Sequence, residues 1–259
     1  MEHARDGTGS LVPQTGVVGD LSADLTGPVG LELAKAVEQL PGEQGQPGGA
    51  RFELKWDGFR VGAVCGESEV RLWSRNGKDF TAKFPDIQAA LATQVDTECV
   101  LDGELVVWTG DRMDFDALQQ RMVNTAATVR RRLAPAQPAS LVVFDLLVVS
   151  SVDLRPMRWI ARRSRLEDLA KAWRPPLQLS PVTADRTEAL EWLEAFKPSG
   201  VEGLVVKGAT SRYQPGRREW VKVNSVGVGC SVGRIRTLFP EVGNGFEAGS
   251  AVRDGCRTR

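Results

Sequence analysis

The sequence predicts an α+β fold of packed, largely antiparallel sheets flanked by helices. Three observations carry that expectation. Apolar and polar residues alternate in short runs, most clearly from Arg51 to Ser74, which is the period of a strand with one wet face. Helical patterns are interspersed among the strand patterns without the regular rhythm of a parallel sheet. The pairs Asp57-Gly58 and Asn76-Gly77 are hairpin-turn signals, because these residue types accept left-handed backbone at little cost.

The elements follow in order. Residues 1 to 25 and Pro41 to Ala50 are rich in Gly, Pro, Gln and Ser and read as a flexible tail and a loop. Between them Val29 to Leu40 reads as a helix. Pro85, with Ile87, Leu91 and Val95 behind it, predicts a short helix leading into a strand from Cys99 to Trp108. A helix over Asp114 to Met122, a buried strand over Leu141 to Val149, amphipathic helices over Arg162 to Trp173 and Arg186 to Phe196, and a strand over Val201 to Lys207 complete the folded region. After Asn224 glycine recurs without helical or strand period, which predicts a poorly ordered end and no second folded domain. There is no internal repeat.

Composition removes several kinds of chemistry. A chain of 259 residues with 42% hydrophobic and 25% charged residues has globular proportions, and no apolar run approaches the roughly 20 residues that cross a bilayer. The first residues lack the apolar core of a signal peptide, so a cytoplasmic location is expected. Cys65, Cys99, Cys230 and Cys256 are far apart and form no C-x-x-C pair, which favours reduced thiols over zinc sites or disulfides. The single histidine, His3, falls in the tail, removing the base of Ser-His-Asp and Cys-His chemistry. Lys, Arg, Asp and Glu must therefore carry any catalysis. Lys plus Arg and Asp plus Glu balance at 33 each, so global charge does not decide for or against a nucleic-acid partner.

The segment Lys55-Trp56-Asp57-Gly58-Phe59-Arg60, after Arg51-Phe52-Glu53-Leu54, places a lysine in a turn-forming acidic context. Burial or cationic neighbours lower a lysine pKa enough to expose a nucleophilic amine, and Arg60 and Arg75 are suited both to that and to gripping phosphate oxygens. Taken alone the segment also fits any strand with one wet face. Carboxylates recur at strand ends, in Asp102-Gly103-Glu104 and Glu202-Gly203. Two of them converging on one cleft, with Glu104 and Glu202 as candidates, suit Mg²⁺. Phe144 either stacks on a base or fills the core. Arg212 to Lys222 gathers basic residues around Tyr213 and Trp220, as a polyphosphate or nucleic-acid surface does and as a solvated loop also does.

Taken in order, these segments resemble the adenylation domain of ATP-dependent DNA ligases, especially small bacterial ones, over roughly residues 26 to 224. The K-x-D-G-x-R motif is Lys55 to Arg60, followed by Ser74-Arg75-Asn76-Gly77, Leu101-Asp102-Gly103-Glu104, Phe144-Asp145-Leu146, Glu202-Gly203-Leu204-Val205-Val206-Lys207 and Trp220-Val221-Lys222, with Asp114 to Arg121 also similar. Six ordered motifs are far more specific than one. The resemblance implies the ATP-grasp-like nucleotidyltransferase fold, ATP as substrate, Mg²⁺ and nicked double-stranded DNA as partner. It implies Lys55 as the nucleophile that takes AMP, Glu53 at the adenine end, Phe144 against adenine, Arg60 and Arg75 near ribose or phosphates, Glu104 at ribose or metal, Glu202 at metal, and Lys207 and Lys222 at the α-phosphate. Such a protein is cytoplasmic and nucleoid-associated when on DNA.

Two features depart from the family pattern. The last motif usually carries a second lysine two positions after Lys222, where this chain has Asn224. Complete ligases also continue into an OB-fold, and residues 225 to 259 show no strand pattern for one. The expectation is a Gly-rich tail in its place and a partner supplying OB or repair functions. Alternatives are a truncated remnant that only binds nucleotide or DNA, and another covalent nucleotidyltransferase of the RNA ligase or capping type.

Overall fold

The computed structural model describes residues 27 to 224; the expected tail of residues 1 to 25 and the Gly-rich residues 225 to 259 lie outside the described residues. The strands are β1 (Ala34–Ala36), β2 (Ala50–Lys55), β3 (Phe59–Cys65), β4 (Val70–Ser74), β5 (Cys99–Thr109), β6 (Arg112–Met113), β7 (Ala139–Val149), β8 (Val152–Asp153), β9 (Leu177–Leu179), β10 (Val182–Thr183), β11 (Gly203–Gly208) and β12 (Trp220–Asn224). The longer helices are α1 (Pro85–Gln94), α2 (Phe115–Val123), α3 (Trp159–Ala170) and α4 (Arg186–Phe196). One sheet has the order β1-β12-β11-β2-β10 and the other β4-β3-β5-β7-β8, with β6 beside β5 and β9 beside β7. All pairings are antiparallel except β1 with β12 and β7 with β9, in agreement with the predicted class.

The strand β2 lies in the first sheet and its sequence neighbour β3 in the second. The Asp57-Gly58 pair is therefore not a hairpin turn, as expected from its sequence, but a crossing between sheets. Glycine is required there for space, since a Cβ on Gly58 would lie 2.1 Å from the Leu105 carbonyl oxygen. The Asn76-Gly77 pair does form a tight turn: Gly77 has φ +74 and the Ser74 amide bonds the Lys78 carbonyl across it.

The segment Val29 to Leu40 is not a helix. Its Leu33 and Val37 amides bond the carbonyls of Arg217 and Lys222, and β1 runs parallel to the start of β12. Pairing with a distant strand overrides the local helical pattern. The helix expected over Arg162 to Trp173 lies three residues earlier, at α3; α1, α2 and α4 agree with expectation to within a residue or two. Asp114 and Asp185 cap α2 and α4 by accepting from backbone amides of the first turn.

The cores follow from this layering. One face of the second sheet packs Leu72, Leu101, Leu105, Leu141 and Val143 against Ile87 and Leu91 of α1, Leu118 of α2 and Leu166 of α3. Between the sheets, Phe52, Leu54, Leu204 and Val206 meet Val106 and Val142, closed by Trp192 and Leu193 of α4. In the β5–β7 ladder, Asp102 is opposite Asp145 and Gly103 is opposite Val143, so Phe144 has no opposite number. A bulge of this kind re-aims a side chain, and here it turns Phe144 toward the cleft described below.

The deepest charges tie α3 to this bulge. Arg162, with 0% of its side chain exposed, binds Asp145, at 1%, through two hydrogen bonds of 2.8 and 3.0 Å and also donates to the Met157 carbonyl. Removing one member leaves an uncompensated buried charge, whereas replacing both with apolar groups does not. Asp145→Ala should lower unfolding free energy by about 3–5 kcal/mol, and Asp145→Leu with Arg162→Met should recover most of it. Urea midpoints of the three proteins check this.

Candidate active site

The first sheet builds one wall. Residues 53 and 55 share a face of β2, 205 and 207 of β11, and 220 and 222 of β12, by the period of two. Register then aligns them: Lys222, Val205 and Glu53 lie directly across from one another, and in the next row stand Asn224, Gly203 and Lys55. The second sheet supplies the facing wall, with Arg60 of β3 opposite Glu104 of β5, and Phe144 from the bulge. Together with Gly30, Leu31, Arg75 and Asn76 these residues line a cleft of about 580 Å³, a size that holds a small organic ligand.

Lys55 stands at the mouth, with 19% of its side chain exposed. Burial lowers its pKa, and the nearby Lys222 lowers it further, while Glu104 and Asp57 oppose them. Its ammonium contacts the Glu202 carboxylate, whose side chain is 43% exposed, and the Glu202 amide bonds the Lys55 carbonyl at 3.0 Å.

Deeper in, Lys207 is fully buried and pairs with Glu53 Oε2 at 2.9 Å, while donating to the Phe144 carbonyl at 3.3 Å. Burial raises the Glu53 pKa, and Lys207 pulls it back. The other oxygen, Glu53 Oε1, is buried with no partner among the described residues, an acceptor suited to an amino group entering the cleft. Phe144 and Trp220 meet edge to face at 6.2 Å. The Lys207 ammonium sits 4.7 and 4.2 Å from their ring centres, and the Arg60 guanidinium 5.4 and 4.8 Å, within cation–π range.

Arg60 is held from behind. Asp102 accepts its Nε and Nη2 hydrogens at 2.9 and 2.6 Å, and the Tyr213 hydroxyl donates to Asp102 Oδ2 at 2.7 Å. Burial works against the Arg60 charge, but Asp102 outweighs it and holds the guanidinium above its ordinary value. The Tyr213 oxygen in turn accepts the Glu32 amide at 3.0 Å. Burial also pushes the Glu104 carboxyl up to about 8, against the pull of Arg60.

Of the residues proposed from sequence, Glu53, Lys55, Arg60, Arg75, Glu104, Phe144, Lys207 and Lys222 all line this cleft, and Glu202 stands at its mouth on Lys55. Arg75 is exposed, and no ion pair joins it to another described residue. The sequence places Asn76, Asp102 and Trp220 in motifs and Tyr213 in the basic, aromatic segment without assigning them a place in the site, and it does not single out Glu32. Trp220 is legible as the residue two before Lys222 on one strand face; nothing local ties Tyr213 or Glu32 to Arg60. The expected role of Asn224 has a structural counterpart, because it faces Lys55 across Gly203, which has no side chain.

Two packed sheets with a half-buried lysine at the mouth of a cation-rich, aromatic cleft define a nucleotidyltransferase domain. The comparisons agree. Residues 32 to 224 match the family described as ATP dependent DNA ligase domain. DNA ligase C2 of Mycolicibacterium smegmatis is 36% identical over 196 residues, covering 76% of this chain and 53% of the relative. DNA ligase C of Mycobacterium tuberculosis is 35% identical over 200 residues, covering 76% and 54%. The solved structure of mycobacterial DNA ligase D complexed with ATP and MES superposes with a TM-score of 0.59 at 30% identity, over 76% of this chain and 60% of that one. The chain belongs to the ATP-dependent DNA ligase family, through its adenylation domain, and spans about half the length of the curated relatives it matches.

Beneath the site, Glu32 is fully buried, its Oε2 accepts the Gln214 amide at 2.8 Å, and Oε1 has no partner among the described residues. Burial pushes its pKa from 4.5 up to about 7. A raised folded-state value means that its stabilising contribution is full below 4.5 and is lost as pH rises through about 7. Glu32→Gln should remove this loss, on the order of 2 kcal/mol, and flatten the dependence of melting temperature on pH over that window. Thermal melts of both proteins across the range check it.

Proposed function

We propose that this domain performs the self-adenylation step of a DNA ligase that seals nicks in duplex DNA during repair. The observation that carries the reading is Lys55: a lysine of lowered pKa at the mouth of a nucleotide-sized cleft whose depth is aromatic and whose walls are cationic. The adenine packs against Phe144, with its amino group donating to Glu53 Oε1. Arg60, fixed by Asp102, serves the ribose or phosphates, and Arg75 and Lys222 the phosphates. The Lys55 amine attacks the α-phosphorus, the bond to the bridging oxygen breaks, and pyrophosphate leaves with the electron pair. The amine proton departs to solvent at the mouth. The resulting lysyl-AMP passes its AMP to a 5′-phosphate at a nick, and the 3′-hydroxyl displaces AMP to close the strand.

Fixed cations act most where charge accumulates, on the α-phosphoryl oxygens and the leaving pyrophosphate. Glu104 and Glu202, both beside Lys55, offer the hard oxygen ligands that suit Mg²⁺ with phosphate oxygens and water completing its shell. When bound, the ion would neutralise phosphate charge and draw Glu202 away from Lys55.

Incubation with α-labelled ATP and Mg²⁺, followed by a denaturing gel, tests the reading. Lys55→Ala should lose all covalent label while still binding ATP, and label on the variant would sink the assignment. Labelling of the unaltered protein should rise with pH, because the reactive form is the neutral amine. Strands lie about 4.8 Å apart, so position 224 stands two spacings, roughly 10 Å, from Lys55 across Gly203, and a lysine there extends toward it. Asn224→Lys should lower the Lys55 pKa further and raise the initial labelling rate several-fold, most visibly below neutral pH.

A further inference from the structure

Outside the cleft, one surface carries a concentrated and uncompensated charge. Arg130, Arg131 and Arg132 are consecutive and all exposed, in the helical stretch of Val129–Leu133, while Val129 and Ala134 on either side are buried and root it in the molecule. The stretch closes with an amide-to-carbonyl bond from Ala134 to Val129, five residues back. A turn that wide spreads successive side chains over an outward arc, and turns of this type concentrate at functional sites. No ion pair joins the three guanidinium groups to a described residue. Asp86 holds Arg121 through two bonds of 2.8 Å, and Asp114 caps α2 and accepts from Thr109, so neither pairs with these arginines.

Arg75 lies at the cleft mouth, and Lys78 and Lys83 follow it in the chain. Lys83 Nζ donates to the Asn124 carbonyl, a few residues before the arginines. Lys78 is exposed and Lys83 half-buried, so the chain following Arg75 adds two further cationic side chains. A small anion needs a concave cradle, and these arginines stand on a convex helical surface. An extended polyanion does not need one. Duplex DNA carries one negative charge per ~1.7 Å of axis, and the guanidinium fork matches phosphate oxygens in pairs.

We propose that Arg130, Arg131 and Arg132 form a clamp on the phosphate backbone of duplex DNA. The identity of the polyanion rests on the ligase reading above. The test uses the full chain and a fluorescein-labelled nicked duplex, with binding followed by anisotropy at several salt concentrations. Replacing all three arginines by alanine should weaken binding tenfold or more at low salt. The slope of log affinity against log salt should become shallower by about two to three phosphate contacts, at ~0.9 each. The triple lysine variant should retain most of the affinity. Lys55 labelling by ATP should be unchanged in both, which shows that the variants are folded. Unchanged duplex affinity and slope in the triple alanine variant would overturn the clamp. So would a loss confined to poly-glutamate binding, which would make an acidic protein the partner. Absence of Lys55 label in every form would count against the ligase reading instead, and the duplex measurements would still decide the clamp.

Discussion

The cleft exists because the chain passes from one sheet to the other within three residues, Trp56, Asp57 and Gly58. Lys55 ends β2 in the first sheet and Arg60 lies near the start of β3 in the second, so the motif that carries the proposed nucleophile also spans the two walls. The crossing is possible only where backbone can approach backbone: a Cβ at position 58 would lie 2.1 Å from the Leu105 oxygen. The same close passage brings Glu104, beside Leu105 on β5, next to Lys55. A glycine therefore sets the approach of Lys55 to Glu104 without contributing a side chain of its own.

Most of the charge in and under this cleft is paired from the side facing the protein. Glu53 leans on Lys207, Arg60 on Asp102, and Asp145 on Arg162. Buried pairs of this sort are not a strong source of stability, because desolvation consumes most of the attraction. Their effect is positional. The first two each commit one side of a cleft-lining group, leaving Glu53 Oε1 without a partner of its own among the described residues, while the third anchors the bulge behind Phe144. Groups already oriented in this way need no rearrangement when charge shifts on a bound phosphate. The Phe144 bulge works with the same logic, since skipping one residue of the ladder turns an aromatic ring out of the sheet interior.

Much of this was legible in the sequence, and the reason is local. Motifs that sit on strands keep their period of two, so Glu53 with Lys55 and Trp220 with Lys222 fall on one face whatever the rest of the chain does. Helices α1, α2 and α4 were equally readable from Pro85, Asp114 and Asp185, which mark their starts. What was misread depends on distant partners. Val29 to Leu40 has a helical apolar pattern, but its amides are taken by Arg217 and Lys222. Asp57-Gly58 has the composition of a hairpin turn, and only the proximity of Leu105 shows that it is a crossing. Tyr213 and Glu32 support Arg60 from 153 and 28 positions away in sequence, and no local spacing announces such a network.

The Lys55–Glu202 contact connects this architecture to catalysis. The two residues are held together by backbone as well as by charge, since the Glu202 amide bonds the Lys55 carbonyl and Gly203 pairs with Lys55 across the ladder. Such a contact favours the protonated, unreactive amine, in opposition to burial and to Lys222, which favour the neutral one. Glu202 is the more open partner, so of the two it has the more room to move. In the proposed reaction, the Lys55 amine would be freed as Glu202 turned away from it.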